Sequence, residues 1–294
     1  MASLSQWAAG ARPRTLPAAV APVVLGTAAA HLLGRADAAL AILALVVALS
    51  LQVGVNYAND YSDGIRGTDE ARVGPVRLVG QRLAAPSNVR LAAALSFAAA
   101  AIVGLALVAL SGAWLMLPLG ALAVVAAWRY TGGNNPYGYR GLGEVYVFVF
   151  FGLMATLGTQ YTQAETVSGF GVLGAVGVGA IASAILVVNN LRDIHTDTEH
   201  GKQTLAVRLG DHRTRILYVG LVAVSVLALL LMAFSTPWAL LGLLAAPLGV
   251  RAGRTVLGDA AGRDLVHVLA ATGLYEVAYA VLTALGVVVA VARS

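Results

Sequence analysis

Nine stretches of this chain are each long and apolar enough to cross a lipid bilayer, at about 16–33, 38–57, 90–110, 113–130, 143–161, 170–190, 215–234, 238–255 and 268–291. A spanning helix needs about 20 mostly apolar residues, because lipid offers no partners for exposed backbone groups. The stretches are rich in Ala, Val, Leu and Gly and show no strand-type alternation, so they predict packed helices, not a barrel. Only 11% of the 294 residues are charged, against the roughly 25% of a soluble domain, and the mean hydropathy is +0.81. A soluble or disordered chain is excluded. The lack of cysteine removes disulfides, thiolate metal sites and cysteine nucleophiles. The first stretch follows Arg12 and Arg14 and is interrupted by Pro17 and Pro22. It reads as a retained first helix, not a cleaved leader.

The basic residues fix an orientation. With the N-terminus in the cytoplasm, 17 of the 19 Lys and Arg residues fall on the cytoplasmic side, leaving only Arg35 and Arg293 outside. The net charge of +5 is therefore a topology signal, and nucleic acid is not an expected partner. The reading is one polytopic domain over 1–294 in the cell membrane, with its C-terminus outside. Trp7, ahead of the first span, suits a short interfacial segment.

Two loops on the basic side collect acidic residues. One reads Asn56-Tyr-Ala-Asn59-Asp60-Tyr-Ser-Asp63, continuing to Asp69 and Glu70. The other reads Asn189-Asn190-Leu-Arg192-Asp193-Ile-His-Thr-Asp197, continuing to Lys202. Each begins where an apolar stretch ends, after spans two and six. If the helix continues, two carboxylates three or four residues apart share a face. Like charges that close call for a cation between them, and Mg²⁺ takes oxygen ligands that substrate phosphates commonly complete. Arg and Lys nearby suit phosphate, and Lys202 is the only lysine in the chain. The pattern describes a Mg²⁺–diphosphate clamp; its bland alternative is a pair of solvated loops with capping Asn and Asp. Arg72, Arg77 and Arg82 serve either phosphate binding or topology. The loop Tyr130–Glu144 offers glycines for close backbone approach and tyrosine faces for a developing cation, and equally suits a turn-rich connector. Glu276, with Tyr275 and Tyr279, lies inside the last span, as either a functional carboxylate or a structural hydrogen-bond partner. His195 and His267 are not spaced as a metal pair and are expected in solvated loops.

These motifs, with Arg12-Pro-Arg-Thr-Leu-Pro17, Gly74-Pro75-Val-Arg77, Tyr139-Arg140-Gly-Leu-Gly143-Glu144 and Gly201-Lys202-Gln-Thr204, resemble the UbiA-type intramembrane prenyltransferases. Within them they are most similar to the branch that prenylates 1,4-dihydroxy-2-naphthoate in menaquinone synthesis. The resemblance implies an all-α protein of nine transmembrane helices around a central cavity, capped by cytoplasmic loops. It implies Mg²⁺ held by Asp60, Asp63, Asp69, Asp193 and Asp197, with those aspartates other than Asp69, and Lys202, in catalysis. Asn56, Asn59, Arg72, Arg77, Tyr139, Arg140, Asn190 and Arg192 are then substrate-binding. Gly67 stands where the superfamily usually has its third aspartate, and Asp69 comes two residues later. The implied reaction moves a polyprenyl group from its diphosphate to the naphthoate ring with loss of CO₂, giving demethylmenaquinone. Hydroxybenzoate, homogentisate and haem are alternative acceptors within the superfamily. A secondary transporter is the alternative from another class, but its site would lie at mid-membrane, whereas these aspartates lie at the ends of spans.

Overall fold

A computed structural model describes residues 2–67, 76–133, 136–258 and 260–293. Among them every regular element is helical. A short α1 (Leu4–Gly10) leads through a 3₁₀ turn at Pro13–Thr15 into α2 (Pro17–Leu32). There follow α3 (Ala38–Ile65), α4 (Pro86–Ser111), α5 (Met116–Arg129), α6 (Gly143–Ala164) and α7 (Gly169–Arg192). Two short helices, α8 (Ile194–Glu199) and α9 (Leu205–Leu209), precede α10 (Asp211–Met232), α11 (Pro237–Leu257) and α12 (Arg263–Ala292).

The helix ends carry recognisable stop and start chemistry. Asp37 caps α3 by accepting from the Leu40 amide at 2.9 Å, and Ser168 caps α7 by accepting from Gly171 at 3.1 Å. Pro86 opens α4, and Gly112, at a φ of 71°, closes it in the left-handed conformation. Pro17 likewise starts α2 and does not interrupt it, and Pro22 is carried inside the helix. The break lies earlier. Arg12 has a φ of 53°, and the segments Leu4–Thr15 and Pro17–Leu32 meet at 51°.

Seven helices among the described residues are long and apolar enough to cross a membrane, and the bent pair makes an eighth. The one expected span left over, 113–130, is α5, with 14 residues. At 1.5 Å per residue that is about 21 Å, short of the roughly 30 Å of hydrocarbon. Exposed apolar side chains such as Ile102 (70%) and Leu110 (71%) would be an aggregation hazard in water and are ordinary facing lipid.

Two main clusters bury the interior, with a small third at Val23, Ala44 and Leu107. The larger joins α2, α7, α10, α11 and α12; the smaller joins α3 and α4 with Leu78 and Val79 of the following loop. Trp7 packs edge-on against Tyr57 of α3 and its carbonyl accepts the Tyr57 hydroxyl at 2.9 Å. The α6–α7 crossing is close, where a π-helical turn over Phe148–Met154 interrupts α6. A Cβ on Gly152 would lie 2.5 Å from the Gly179 Cα, and both are backbone neighbours that cannot swing aside. Gly152→Val is expected to cost about 1–3 kcal/mol through this overpacking. A lower thermal midpoint of the detergent-solubilised protein checks it, with Gly220→Val, on open space in α10, as the matched control.

Candidate active site

Helix α3 does not stop with its apolar stretch at 57; it runs on to Ile65. Asn56, Asn59, Asp60 and Asp63 are therefore helical residues and not loop residues. Three positions advance a helix by about 300°, so Asp60 and Asp63 diverge by about 60°. Asp63 lines a cavity of about 1300 Å³ between the two packed halves. Asp60 turns instead to the returning loop, where its carboxylate accepts from the amides of Leu78 at 2.6 Å and Val79 at 3.2 Å. These charge-assisted bonds hold the segment that delivers buried Arg77 to the cavity.

The second motif divides in the same way. Asp193 caps the end of α7, and its two oxygens fork onto the Arg192 guanidinium at 2.7 and 2.8 Å. Arg192 also donates to the Asn189 side chain at 2.9 Å. Asp197, on α8, lines the cavity. The Lys202 amide returns to the Asp197 carbonyl at 2.8 Å through a turn at Gly201, whose φ of 70° suits glycine. That turn aims Lys202 across the cavity, to 3.6 Å from Asp63 Oδ1.

The third loop joins them at the same atom. The Tyr139 hydroxyl donates to Asp63 Oδ1 at 2.6 Å, and Lys202 Nζ sits 4.5 Å from the centre of the Tyr139 ring. The Gln203 amide donates to the Tyr139 carbonyl at 3.0 Å, and Thr131 donates to Asn59 Oδ1 at 2.7 Å. Arg66 binds the carbonyls of Thr131 and Gly133. Side chains from two separate loops, Tyr139 and Lys202, thus converge on Asp63 at the end of α3.

The N-terminal bend supplies a fourth wall. Asn56 donates to the Ala11 carbonyl at 2.8 Å and to Thr15 Oγ1 at 2.9 Å, and Gln52 donates to the same hydroxyl at 2.8 Å. This tie brings Arg12 and Arg14 to the cavity. The charged groups on its wall are then Arg12, Arg14, Arg77, Arg192, Lys202 and Arg263 against Asp63 and Asp197. Such an excess suits a polyanion with several charges, and both carboxylates remain as oxygen donors. Beyond this polar end the wall is apolar, through Val124 and Leu107 to Ala44. Asp63 and Ala44 are nineteen residues apart on one helix, about 28 Å at 1.5 Å per residue. Tyr130, Tyr137, Tyr146 and Phe150 form an aromatic wall, with Tyr137 stacked on Tyr146 at 3.7 Å. Burial first, and the Tyr146 phenol second, push the Tyr137 hydroxyl far above its ordinary value, so the ring stays neutral.

Of the residues expected in the site, Asn56, Asn59, Asp63, Arg77, Tyr139, Asn190, Arg192, Asp197 and Lys202 line the cavity. Asp60 and Asp193 stand behind it. Arg140 is exposed and outside it, because the 3₁₀ turn Tyr137–Arg140 sends consecutive side chains in different directions. Asp69 and Arg72 lie outside the described residues. Arg12 and Arg14, read in the sequence as topology residues only, belong to the wall; their Arg-Pro-Arg-Thr context was the available signal. His195 is exposed as expected, whereas His267 sits on α12 at the cavity and not in a loop. Glu276 is fully buried away from the cavity. Tyr275 bonds the Ser225 hydroxyl at 2.8 Å and Tyr279 donates to the Ser225 carbonyl at 3.2 Å, so these two tyrosines serve helix packing. Among the described residues no three His, Asp or Glu side chains form a metal-holding group. Asp63 and Asp197 nevertheless give hard oxygen donors on one cavity, which fits Mg²⁺ completed by water and phosphate.

Relatives in sequence carry prenyltransferase names. A protein of Mycobacterium tuberculosis named 1,4-dihydroxy-2-naphthoate octaprenyltransferase is 56% identical over 284 residues, covering 97% of each chain. One of the same name from Escherichia coli is 41% identical, covering 86% of this chain and 85% of its own. Among solved structures, an apo UbiA homologue from Aeropyrum pernix superposes with a TM-score of 0.71 at 16% identity, over 93% of this chain and 98% of its own. A homologue from Archaeoglobus fulgidus, solved with DMAPP and Mg²⁺, gives 0.63 at 12% identity, over 97% and 99%. The pattern of the UbiA prenyltransferase family itself matches residues 19–265. With that match spanning most of its length, the chain is a multi-pass membrane protein of the UbiA prenyltransferase family.

Proposed function

We propose that the chain transfers a polyprenyl group from polyprenyl diphosphate to 1,4-dihydroxy-2-naphthoate, with loss of CO₂ and release of diphosphate, giving demethylmenaquinone in its reduced, quinol form. The observation that carries this reading is the meeting of Asp63, Lys202 and Tyr139 at the polar end of a long apolar cavity. The names of the relatives point to the same acceptor. The cavity exceeds the roughly 300–1,000 Å³ of ordinary small-ligand pockets, as a long isoprenoid requires.

In this reading Asp63 and Asp197 hold Mg²⁺, and Asp60 and Asp193 join through lone pairs that their present partners leave; Asp69 extends the first motif. When bound, the metal neutralises the diphosphate and makes it a better leaving group. Lys202, Arg77, Arg192 and Arg12 take up the remaining phosphate charge as it grows. Asn56 and Asn59 hold the α3 wall in register with the bend and with Thr131. The ring faces of Tyr139 and Tyr137 stand beside the carbon end of the breaking bond, where π-electron density stabilises a cation. The apolar wall beyond excludes water that would capture that cation. The prenyl group then bonds to the carboxyl-bearing ring carbon, and the carboxyl group departs as CO₂.

The fold belongs to the same reading: one polytopic domain of nine crossings, with the bent α1–α2 pair first and short α5 fourth. Its N-terminus and site loops are cytoplasmic, and its C-terminus is outside, in the cell membrane. The test is turnover by the purified protein in lipid nanodiscs with Mg²⁺, polyprenyl diphosphates of graded length and dihydroxynaphthoate, reading prenylated product and CO₂. Product should form with the naphthoate and vanish with EDTA. Turnover of hydroxybenzoate in place of the naphthoate overturns the acceptor assignment.

A further inference from the structure

Glu144 is a buried carboxylate that the mechanism above does not use. It opens α6 and does not line the cavity. One side-chain oxygen, Oε1, accepts from the Asn190 Nδ2 group at 2.9 Å. The other, Oε2, is buried with no hydrogen-bond partner among the described residues. Its backbone carbonyl accepts from Ser183 at 3.1 Å, which pins this turn to α7 independently of the carboxylate. A buried carboxylate with one oxygen unsatisfied is costly. Its side-chain hydrogen bond to Asn190 reaches the site, because Asn190 lines the cavity.

We infer that Glu144 is a positioning residue that fixes the Asn190 carboxamide with its oxygen toward the cavity, where it accepts a hydroxyl group of the aromatic substrate. This rests on the prenyltransferase reading above. A carboxylate is an acceptor only, so it must face the NH₂ end of the amide, and the flip of Asn190 is thereby determined. That leaves Oδ1 as the acceptor on the cavity side. A prenyl diphosphate brings no hydrogen-bond donor once ionised, whereas a dihydroxy aromatic brings two hydroxyls. The location agrees. Tyr146, on the same first turn of α6 as Glu144, belongs to the aromatic wall against which a flat ring would stack. The neighbouring Asn189 is turned the other way, accepting from Arg192 on the phosphate side. The two adjacent asparagines thus divide the cavity, one toward the diphosphate and one toward the ring.

The experiment measures KM separately for the aromatic acceptor and for prenyl diphosphate in Glu144→Ala, Glu144→Gln, Asn190→Ala and the Glu144→Ala/Asn190→Ala double variant. Glu144→Ala should raise the acceptor KM about tenfold, the worth of one charge-assisted hydrogen bond. The diphosphate KM and the Mg²⁺ requirement should stay within about twofold. Glu144→Gln should recover most of the loss, because its amide oxygen still accepts from Asn190 Nδ2. In the Asn190→Ala background the Glu144→Ala change should add nothing to the acceptor KM. Parallel rises in both KM values, additive effects in the double variant, or a Gln variant as impaired as Ala overturn the inference. Should Glu144→Ala not fold, Asn190→Ala alone decides: an unchanged acceptor KM overturns it. Absence of turnover in the unsubstituted protein would instead overturn the underlying reaction, so the two failures are distinct.

Discussion

Asp63→Asn is expected to lower turnover by about 10²–10³-fold while leaving the protein folded. Asparagine keeps an oxygen for the Tyr139 hydroxyl, which now approaches Asp63 Oδ1 at 2.6 Å, and it keeps the volume. What it removes is charge. Asp63 is one of two carboxylates on a cavity wall that carries six cationic side chains, so its loss deprives a metal of a ligand and Lys202 of its counter-charge. Losing one preorganised electrostatic group in a water-poor site costs factors of this size. The asparagine variant is more informative than alanine. Alanine would also remove the oxygen that accepts from the Tyr139 hydroxyl and leave a void, and that penalty would fall on folding. Steady-state rates over a Mg²⁺ titration check the prediction, with the half-saturating Mg²⁺ concentration rising in step. Activity within tenfold at an unchanged Mg²⁺ requirement would remove Asp63 from the metal clamp.

Lys202→Met is expected to lower kcat/KM for prenyl diphosphate by about 10²-fold. Methionine preserves the stem that runs beside Tyr139 but withdraws the ammonium, 4.5 Å from that ring and 3.6 Å from Asp63. Lys202→Arg should recover only part of the loss. A planar guanidinium needs more room than a compact ammonium between a tyrosine face and a carboxylate, and its fork is pre-set for two parallel bonds. Kinetics with the prenyl diphosphate varied and the acceptor saturating give the comparison. If Met and Arg variants are equally active, the single lysine is not a phosphate contact.

Much of the site was legible because its residues are polar where the chain is otherwise apolar. Asn59, Asp63, Asp197 and Lys202 announced themselves by standing at the ends of hydrophobic stretches, and they do line one cavity. What spacing left open was direction. Asp60 and Asp63 share a helix, yet one faces the cavity and the other a backbone loop, and only the packing of 76–79 against α3 decides between them. Arg140 stands outside the cavity for the same reason, since a 3₁₀ turn separates neighbouring side chains. Arg12 and Arg14 were hidden by their second use as topology signals. The span count depended on a length rule that α5 does not meet and on a first helix that bends at its entry.

The position of Lys202 gives the protein an address. Because no other side chain carries a primary amine, an acylating reagent has one side-chain target, buried at 5% exposure beside Asp63. The α-amino group at the chain start is the other amine, and it is distinguishable by its peptide mass. The rate at which Nζ is acylated therefore reads out traffic through the cavity mouth. A bound diphosphate should shield it, and an empty cavity should leave it open, so a mass spectrum reports occupancy without any turnover at all.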